Sequence, residues 1–186
     1  MIPVLKAEMF NREAKKGASA VIGKLNIRKG ETIADIGSGG GFFVFEFAHL
    51  TGESGKVYAA DTDRGLLGVI EKRIRKENIS NVKTVMADKS GPGLPASSCD
   101  LIFMRDVFHH IADPAGYFSR LKGILKPGAR LAVIDWKPAS RHGHGTPEEK
   151  ITAVMEAAGF GLCETFDFLE KQSFNIFEIR AVLHET

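Results

Sequence analysis

The run Asp35-Ile36-Gly37-Ser38-Gly39-Gly40-Gly41-Phe42 has the composition of a binding turn. Its glycines let backbone approach a ligand closely at the amino end of a helix, where free N–H groups point outward. A dinucleotide fingerprint of the Gly-x-Gly-x-x-Gly kind is incomplete, because its last position is Phe42. Two further carboxylates end β-prone runs. Val57-Tyr58-Ala59-Ala60-Asp61 offers an acid that can accept both hydroxyls of a ribose, and Val85-Met86-Ala87-Asp88 offers one that can reach an adenine amino group. Asp61 has a competing reading as a plain helix cap.

Proton chemistry points elsewhere in the chain. Arg105-Asp106-Val107-Phe108-His109-His110 follows the apolar run 101–104, and Arg141-His142-Gly143-His144-Gly145 follows a later strand. His109, His110, His142 and His144 are the candidate general bases, since imidazole titrates near neutral pH. For His109 and His110 the alternative is packing or a helix start. His142 and His144 could instead hold a metal with Asp135, but His-x-His in a glycine-rich loop is a weak metal signature, so a solvated or substrate-gating loop is favoured and no metal is expected. Cys99 and Cys163 lack the Cys-x-x-Cys spacing of zinc and redox sites and are too few for a disulfide framework, which makes a reducing cytoplasm the expected compartment.

The elements that must position these residues alternate along the chain. Residues 1–29 read as an N-terminal helical segment with Ala18, Val21, Ile22 and Leu25 on one apolar face, broken at Lys29-Gly30. Strands follow at 32–36, 56–60, 82–87, 101–104 and 130–135. Between them, one helix turns Leu66, Leu67, Ile70 and Ile74 inward, and another starts at Asp113-Pro114. Lys126-Pro127-Gly128 reads as a turn into the fifth strand. Thr146-Pro147-Glu148-Glu149 reads as a capping box for a helix that Gly159 ends. The last strands, 162–169 and 174–182, are joined too tightly for a parallel crossover and must pair antiparallel. The sum is a doubly wound α/β fold with a mostly parallel sheet and one reversed strand, which places the site at the carboxyl ends of the strands.

Composition narrows the function classes. The 186 residues fit one domain spanning 1–186, with no linker or repeat dividing it. Twenty-five basic residues against 23 acidic ones give a formal charge of +2, too balanced for a dedicated nucleic-acid platform. No run approaches the roughly 18 apolar residues of a membrane span, and Lys6 and Glu8 interrupt the place where an export signal would need an unbroken apolar stretch.

Taken in order, residues 34–41, 57–61, 87–95, 99–110 and 125–131 resemble the "LDIGxGxG", "VxxxD", "GDxxxLP", "FDxVxxxxxxHH" and "LKPGGxL" segments of class I S-adenosylmethionine-dependent methyltransferases. The likeness is strongest to the small ubiquinone-biosynthesis-like branch (methyltransferase domain 11/25 type) and spans residues 30–182. It implies a seven-stranded Rossmann-like sheet with a reversed terminal hairpin, and S-adenosylmethionine as cofactor. It further implies that Asp35, Gly37, Ser38 and Gly39 shape the methionine and ribose pocket and that Asp61 holds the ribose. Thr62 would lie against the adenine, Ala87 and Asp88 near its amino group, and Arg105 toward the amino-acid part of the cofactor. Two departures stand out: Ala129 replaces the second glycine of the Pro-Gly-Gly turn, and residues 89–94 carry two glycines and no acid.

The tail 166–174 is similar to a "DFLPxQxF" ending found in a subset of small methyltransferases, with Glu170 in place of proline. In that subset the turn faces the cofactor, which would bring Gln172 to the acceptor; an ordinary hairpin is the alternative. No large insertion follows the fifth strand, so the acceptor is expected to be a small molecule or carried by a partner. The rival functions are a nicotinamide oxidoreductase, disfavoured by Phe42 and by the hairpin, and a non-catalytic S-adenosylmethionine-binding regulatory module.

Overall fold

A computed structural model describes residues 2–138 and 145–180. Seven strands form a single sheet: β1 (Thr32–Ile36), β2 (Lys56–Asp61), β3 (Val82–Met86), β4 (Cys99–Arg105), β5 (Leu125–Trp136), β6 (Phe160–Phe166) and β7 (Gln172–Ile179), in the spatial order β3-β2-β1-β4-β5-β7-β6. The first five pair in parallel, and β7 runs antiparallel between β5 and β6. The expected doubly wound sheet with a reversed hairpin is therefore present. The order reverses at β1, where β2 lies to one side and β4 to the other, and this is the position at which an open α/β sheet binds its ligand.

Burial on both faces explains why the central strands are nearly continuously apolar. Ala34, Ile102, Leu131 and Phe177 point to one face, under Phe118 and Leu121 of α5 (Pro114–Leu121) and Ile151 and Met155 of α6 (Glu148–Ala157). Ile33, Phe103, Ala132 and Ile176 point to the other. They meet Val21 and Leu25 of α2 (Ala18–Leu25), Phe43 and Phe47 of α3 (Phe42–Thr51) and Ile70 of α4 (Arg64–Glu77). Phe103 sits between Phe43 and Phe47, with ring centroids 4.7 and 5.2 Å away.

Several local expectations are corrected. The N-terminal segment is two helices, α1 (Pro3–Ala14) and α2, parted at Gly17 with φ of +68°, and α2 stops at Leu25 with Asn26 in the left-handed region, before Lys29-Gly30 is reached. Lys126-Pro127-Gly128 does not turn the chain into a strand but lies inside β5, where the register slips from Cys99↔Leu125 to Leu101↔Arg130. Asp100 occupies that bulge, accepting from Lys126 Nζ at 2.6 Å on β5 and from the Thr32 N–H at 2.8 Å at the start of β1, so one carboxylate ties the irregularity to both neighbouring strands. The Thr146 capping box does not form: Pro147 is the N-cap of α6 and no side chain caps it. The hairpin strands are offset from their expected bounds: β6 ends at Phe166 and β7 begins at Gln172, because residues 167–171 form the connection, and the expected end of β7 at 182 lies outside the described residues.

Candidate active site

The glycine turn is held by the end of β2. The Gly37 and Ser38 N–H groups donate to Ala60 O at 2.8 and 3.1 Å, and the Gly39 N–H donates to Asp61 Oδ2 at 2.8 Å. Gly37, with φ of +74°, is required on steric grounds as well, since a Cβ there would lie 2.2 Å from Val107 Cγ2. Asp61 is almost buried, and its other oxygen accepts from the Asp63 N–H. It is not a helix cap. Asp63 caps α4 instead, accepting from Gly65 and Leu66 N–H groups, and its contact with Lys6 at 2.6 Å, followed by those backbone donors, holds its carboxyl below the usual range.

Around this turn opens a cleft of about 1250 Å³ along the carboxyl edges of the parallel strands. Asp35, Gly37, Ser38, Gly39, Asp61 and Thr62 line it, and so do Ala87, Asp88 and Arg105. Asp35 is 4% exposed, and burial first, then the neighbouring Asp61 charge, pushes its carboxyl up to about 8. Asp88 closes a tight turn by accepting from Ser90 and Gly91, and the Ser90 hydroxyl and N–H hold it in the charged form. Gly40 and Gly41 differ in role. A Cβ on Gly41 would strike Ile70, which is helix packing, whereas one on Gly40 would strike Ala7 O and Asn11 Oδ1 of α1.

That contact exposes a part of the site that sequence reading missed. Asn11 donates to Gly40 O and accepts from the Phe42 N–H, so α1 supplies the cap that α3 lacks at Gly41. Phe10 lies 3.4 Å from the position of a Gly39 Cβ. In the sequence this segment shows only the apolar pair Met9-Phe10, on a helix too remote from the glycine turn to be linked to it by periodicity.

On the β4 and β5 side, Arg105 reaches across the cleft mouth. It donates to Ala14 O, Lys16 O and Gln172 Oε1, and Gln172 in turn donates to Asp106. Gln172 is 4% exposed and is committed to this network. Asp106 adopts a φ of +60°, and burial raises its carboxyl to about 6 against the lowering influence of Arg105 and Gln172. His109 and His110 both line the cleft, on a one-turn 3-10 helix spanning Phe108–His110. His109 Nδ1 lies 2.7 Å from Oδ1 of the fully buried Asp135. Arg141, His142 and His144 lie outside the described residues. Among the described residues, no group of three or more His, Cys, Asp or Glu side chains could hold a metal ion.

The cleft fits an adenosylmethionine-sized ligand on its own chemistry. Two residues that line it, Ser38 and Arg105, each keep a buried donor, Oγ and Nε, without a hydrogen-bond partner. An acid beside them, Asp35, is the complement of a ligand ammonium.

Comparisons with known proteins agree with this geometry. The family described as a methyltransferase domain matches residues 27–181. The Ubiquinone/menaquinone biosynthesis C-methyltransferase UbiE of Escherichia coli is 30% identical over 111 residues, covering 59% of this chain and 44% of that protein, so the chain spans less than half the length of the curated relatives it matches. A SAM-dependent methyltransferase from Aquifex aeolicus superposes with a TM-score of 0.79 at 27% identity, covering 86% of this chain and 87% of that one. A Haemonchus contortus phosphoethanolamine N-methyltransferase, solved with S-adenosylhomocysteine, shares the fold with a TM-score of 0.70 at 18% identity, covering 88% of this chain and 52% of that one. With its motif order, its reversed terminal hairpin and its matched domain in agreement, the chain belongs to the methyltransferase domain family of the class I S-adenosylmethionine-dependent methyltransferases.

Proposed function

We propose that this protein transfers a methyl group from S-adenosylmethionine to a small-molecule acceptor bound on the β4 and β5 side of the cleft. The observation that carries the reading is the clamp of Asp61 on the glycine turn, which leaves a preformed nucleoside site beside the buried acid Asp35. Asp61 would accept from the ribose hydroxyls through the lone pairs that Gly39 and Asp63 leave free, with Thr62, Ala87 and Asp88 along the base. Ser38, Arg105 and Asp35 would meet the amino-acid end. The bound cofactor supplies an electrophilic methyl group; the protein's part is to hold the acceptor in line and to exclude water. His109 and His110 would face the acceptor, as would His142 and His144 from the loop after β5.

Calorimetry tests the cofactor half. S-adenosylmethionine and S-adenosylhomocysteine should bind in the micromolar range, and failure of both at about 1 mM would remove the assignment. Asp61→Ala should weaken both by about 2 kcal/mol, roughly thirtyfold, because a charged acceptor is lost and the Gly39 N–H loses its anchor. An acceptor screen with labelled methyl donor then tests the transfer itself. Changing His142 and His144 together to Ala should leave cofactor affinity within about twofold while reducing transfer to the acceptor so found.

A further inference from the structure

Beside the cofactor half of the cleft, the ends of β4 and β5 build an arrangement that cofactor binding does not use. Asp135 sits at the penultimate position of β5, wholly buried, with one oxygen 2.7 Å from His109 Nδ1 and the other without a partner. A carboxylate so placed fixes the proton on Nδ1 and leaves Nε2 as the ring's acceptor nitrogen. The His109 side chain is 13% exposed and lines the cleft. The fold maintains this arrangement at a cost. Asp106 is held at positive φ, and Asp135 is buried with half of its carboxylate unsatisfied, both features that collect at working sites.

Resting on the methyl-transfer reading above, we propose that His109, oriented by Asp135, is the general base of the reaction, and that the acceptor atom is therefore one that gives up a proton as it is methylated. The acceptor's proton passes to Nε2, and the electron pair of that bond stays on the acceptor atom and forms its new bond to the methyl carbon. The bond between methyl and sulfur breaks with its pair remaining on sulfur. The imidazolium left behind lies against the Asp135 carboxylate and returns its proton to water once product leaves. Asp135 is a positioning residue, since it acts through the ring. The groups near that ring are Asp135 from β5, Asp106 from just past the end of β4, and His110, whose ring centroid is 4.0 Å away.

A series of substituted phenols of graded acidity, used as acceptor probes with labelled S-adenosylmethionine, tests the assignment. In His109→Gln, kcat should fall by about 10²- to 10⁴-fold for phenols that are neutral at the assay pH and by under tenfold for those already ionised, with KM for the cofactor within about twofold. Asp135→Asn removes the negative charge that holds the proton on Nδ1. It should show the same dependence on phenol acidity, and nitrogen NMR of the histidine ring should report the changed tautomer. Equal losses for neutral and ionised phenols would overturn the proposal, because a purely structural histidine predicts that pattern. A wild-type protein that methylates none of the phenols would overturn it too. Calorimetry with S-adenosylmethionine on the same samples separates that outcome from failure of the methyltransferase reading, since binding would then persist without transfer.

Discussion

Under the proposed reading, in which Asp35 meets the amino-acid end of the cofactor, a single buried residue would couple ligand binding to pH. Its carboxyl titrates at about 8 because burial and Asp61 disfavour the charge, so below that pH the free protein carries it protonated. A cofactor bringing positive charge to its side favours the anion, so binding releases a proton. Affinity for S-adenosylmethionine should accordingly rise with pH up to about 8 and then level, by at most tenfold per pH unit. Calorimetry in buffers of different ionisation enthalpy reads the released proton directly, and a pH-independent affinity would place the charge elsewhere. The stability effect has the opposite sense. A carboxyl whose folded pKa exceeds its unfolded value binds protons more tightly when folded, so the free protein loses stability as pH climbs from about 4 to about 8. Asp35→Asn should remove that slope and raise the melting temperature of the free protein at pH 8. Gly37 makes a steric counterpart. Gly37→Ala should cost about 2–4 kcal/mol in urea unfolding, and adding Val107→Ala should restore only the part due to the clash, leaving the roughly 1–2 kcal/mol of a left-handed alanine.

At the scale of elements, α1 borders the cleft beside the glycine turn. It has few buried side chains, Ala7 alone being fully covered, so packing alone holds it weakly. Polar contacts at both ends compensate: Lys6 with Asp63, Asn11 with Gly40 and Phe42, and Arg105 with Ala14 O, just before the Gly17 break. Asn11→Ala would leave the Phe42 N–H and Gly40 O unpaired beneath the helix. It should lower stability by about 1–2 kcal/mol and speed cofactor release several-fold, measured by urea unfolding and stopped-flow displacement. Unchanged release would mean that α1 does not cover the bound ligand. Arg105→Lys should also loosen α1, because an ammonium cannot span two carbonyls and Gln172 as the planar guanidinium does.

At the scale of the molecule, the reversed strand β7 joins both layers of the core. It lies between β5 and β6 and sends Phe177 to the face covered by α5 and α6, and Phe174 and Ile176 to the face covered by α2 and α3. Both phenylalanines are fully buried. Phe177→Ala should therefore cost about 3–5 kcal/mol in denaturant unfolding. Loss of cofactor binding would follow only where unfolding is populated, since no atom of Phe177 lines the cleft. The same strand supplies Gln172, so the hairpin bears on the β4 and β5 side of the cleft through Arg105 and Asp106. Among the described residues, no helix is long and apolar enough to cross a membrane.

The sequence by itself determined the alternation of strands and helices, the glycine turn and the acids that end β2 and β3, because each is encoded by spacing within a dozen residues. It also determined the family, since five motifs in order carry more information than any one of them. Where two local signals competed it misled: Lys126-Pro127-Gly128 has turn chemistry, yet the pairing of β5 with β4 absorbs it as a bulge around Asp100. Thr146 has the look of a cap, yet its N–H is bonded back to Trp136 O and Pro147 takes the cap position. Only the tertiary structure decided which distant residues meet. Asn11 reaches Gly40 across 29 positions, and Asp135 reaches His109 across 26, because the parallel order sets the ends of β4 and β5 side by side. Helical and strand periodicity assigns a residue to a face of its own element, but the neighbour across that face depends on strand order, which is a property of the whole chain.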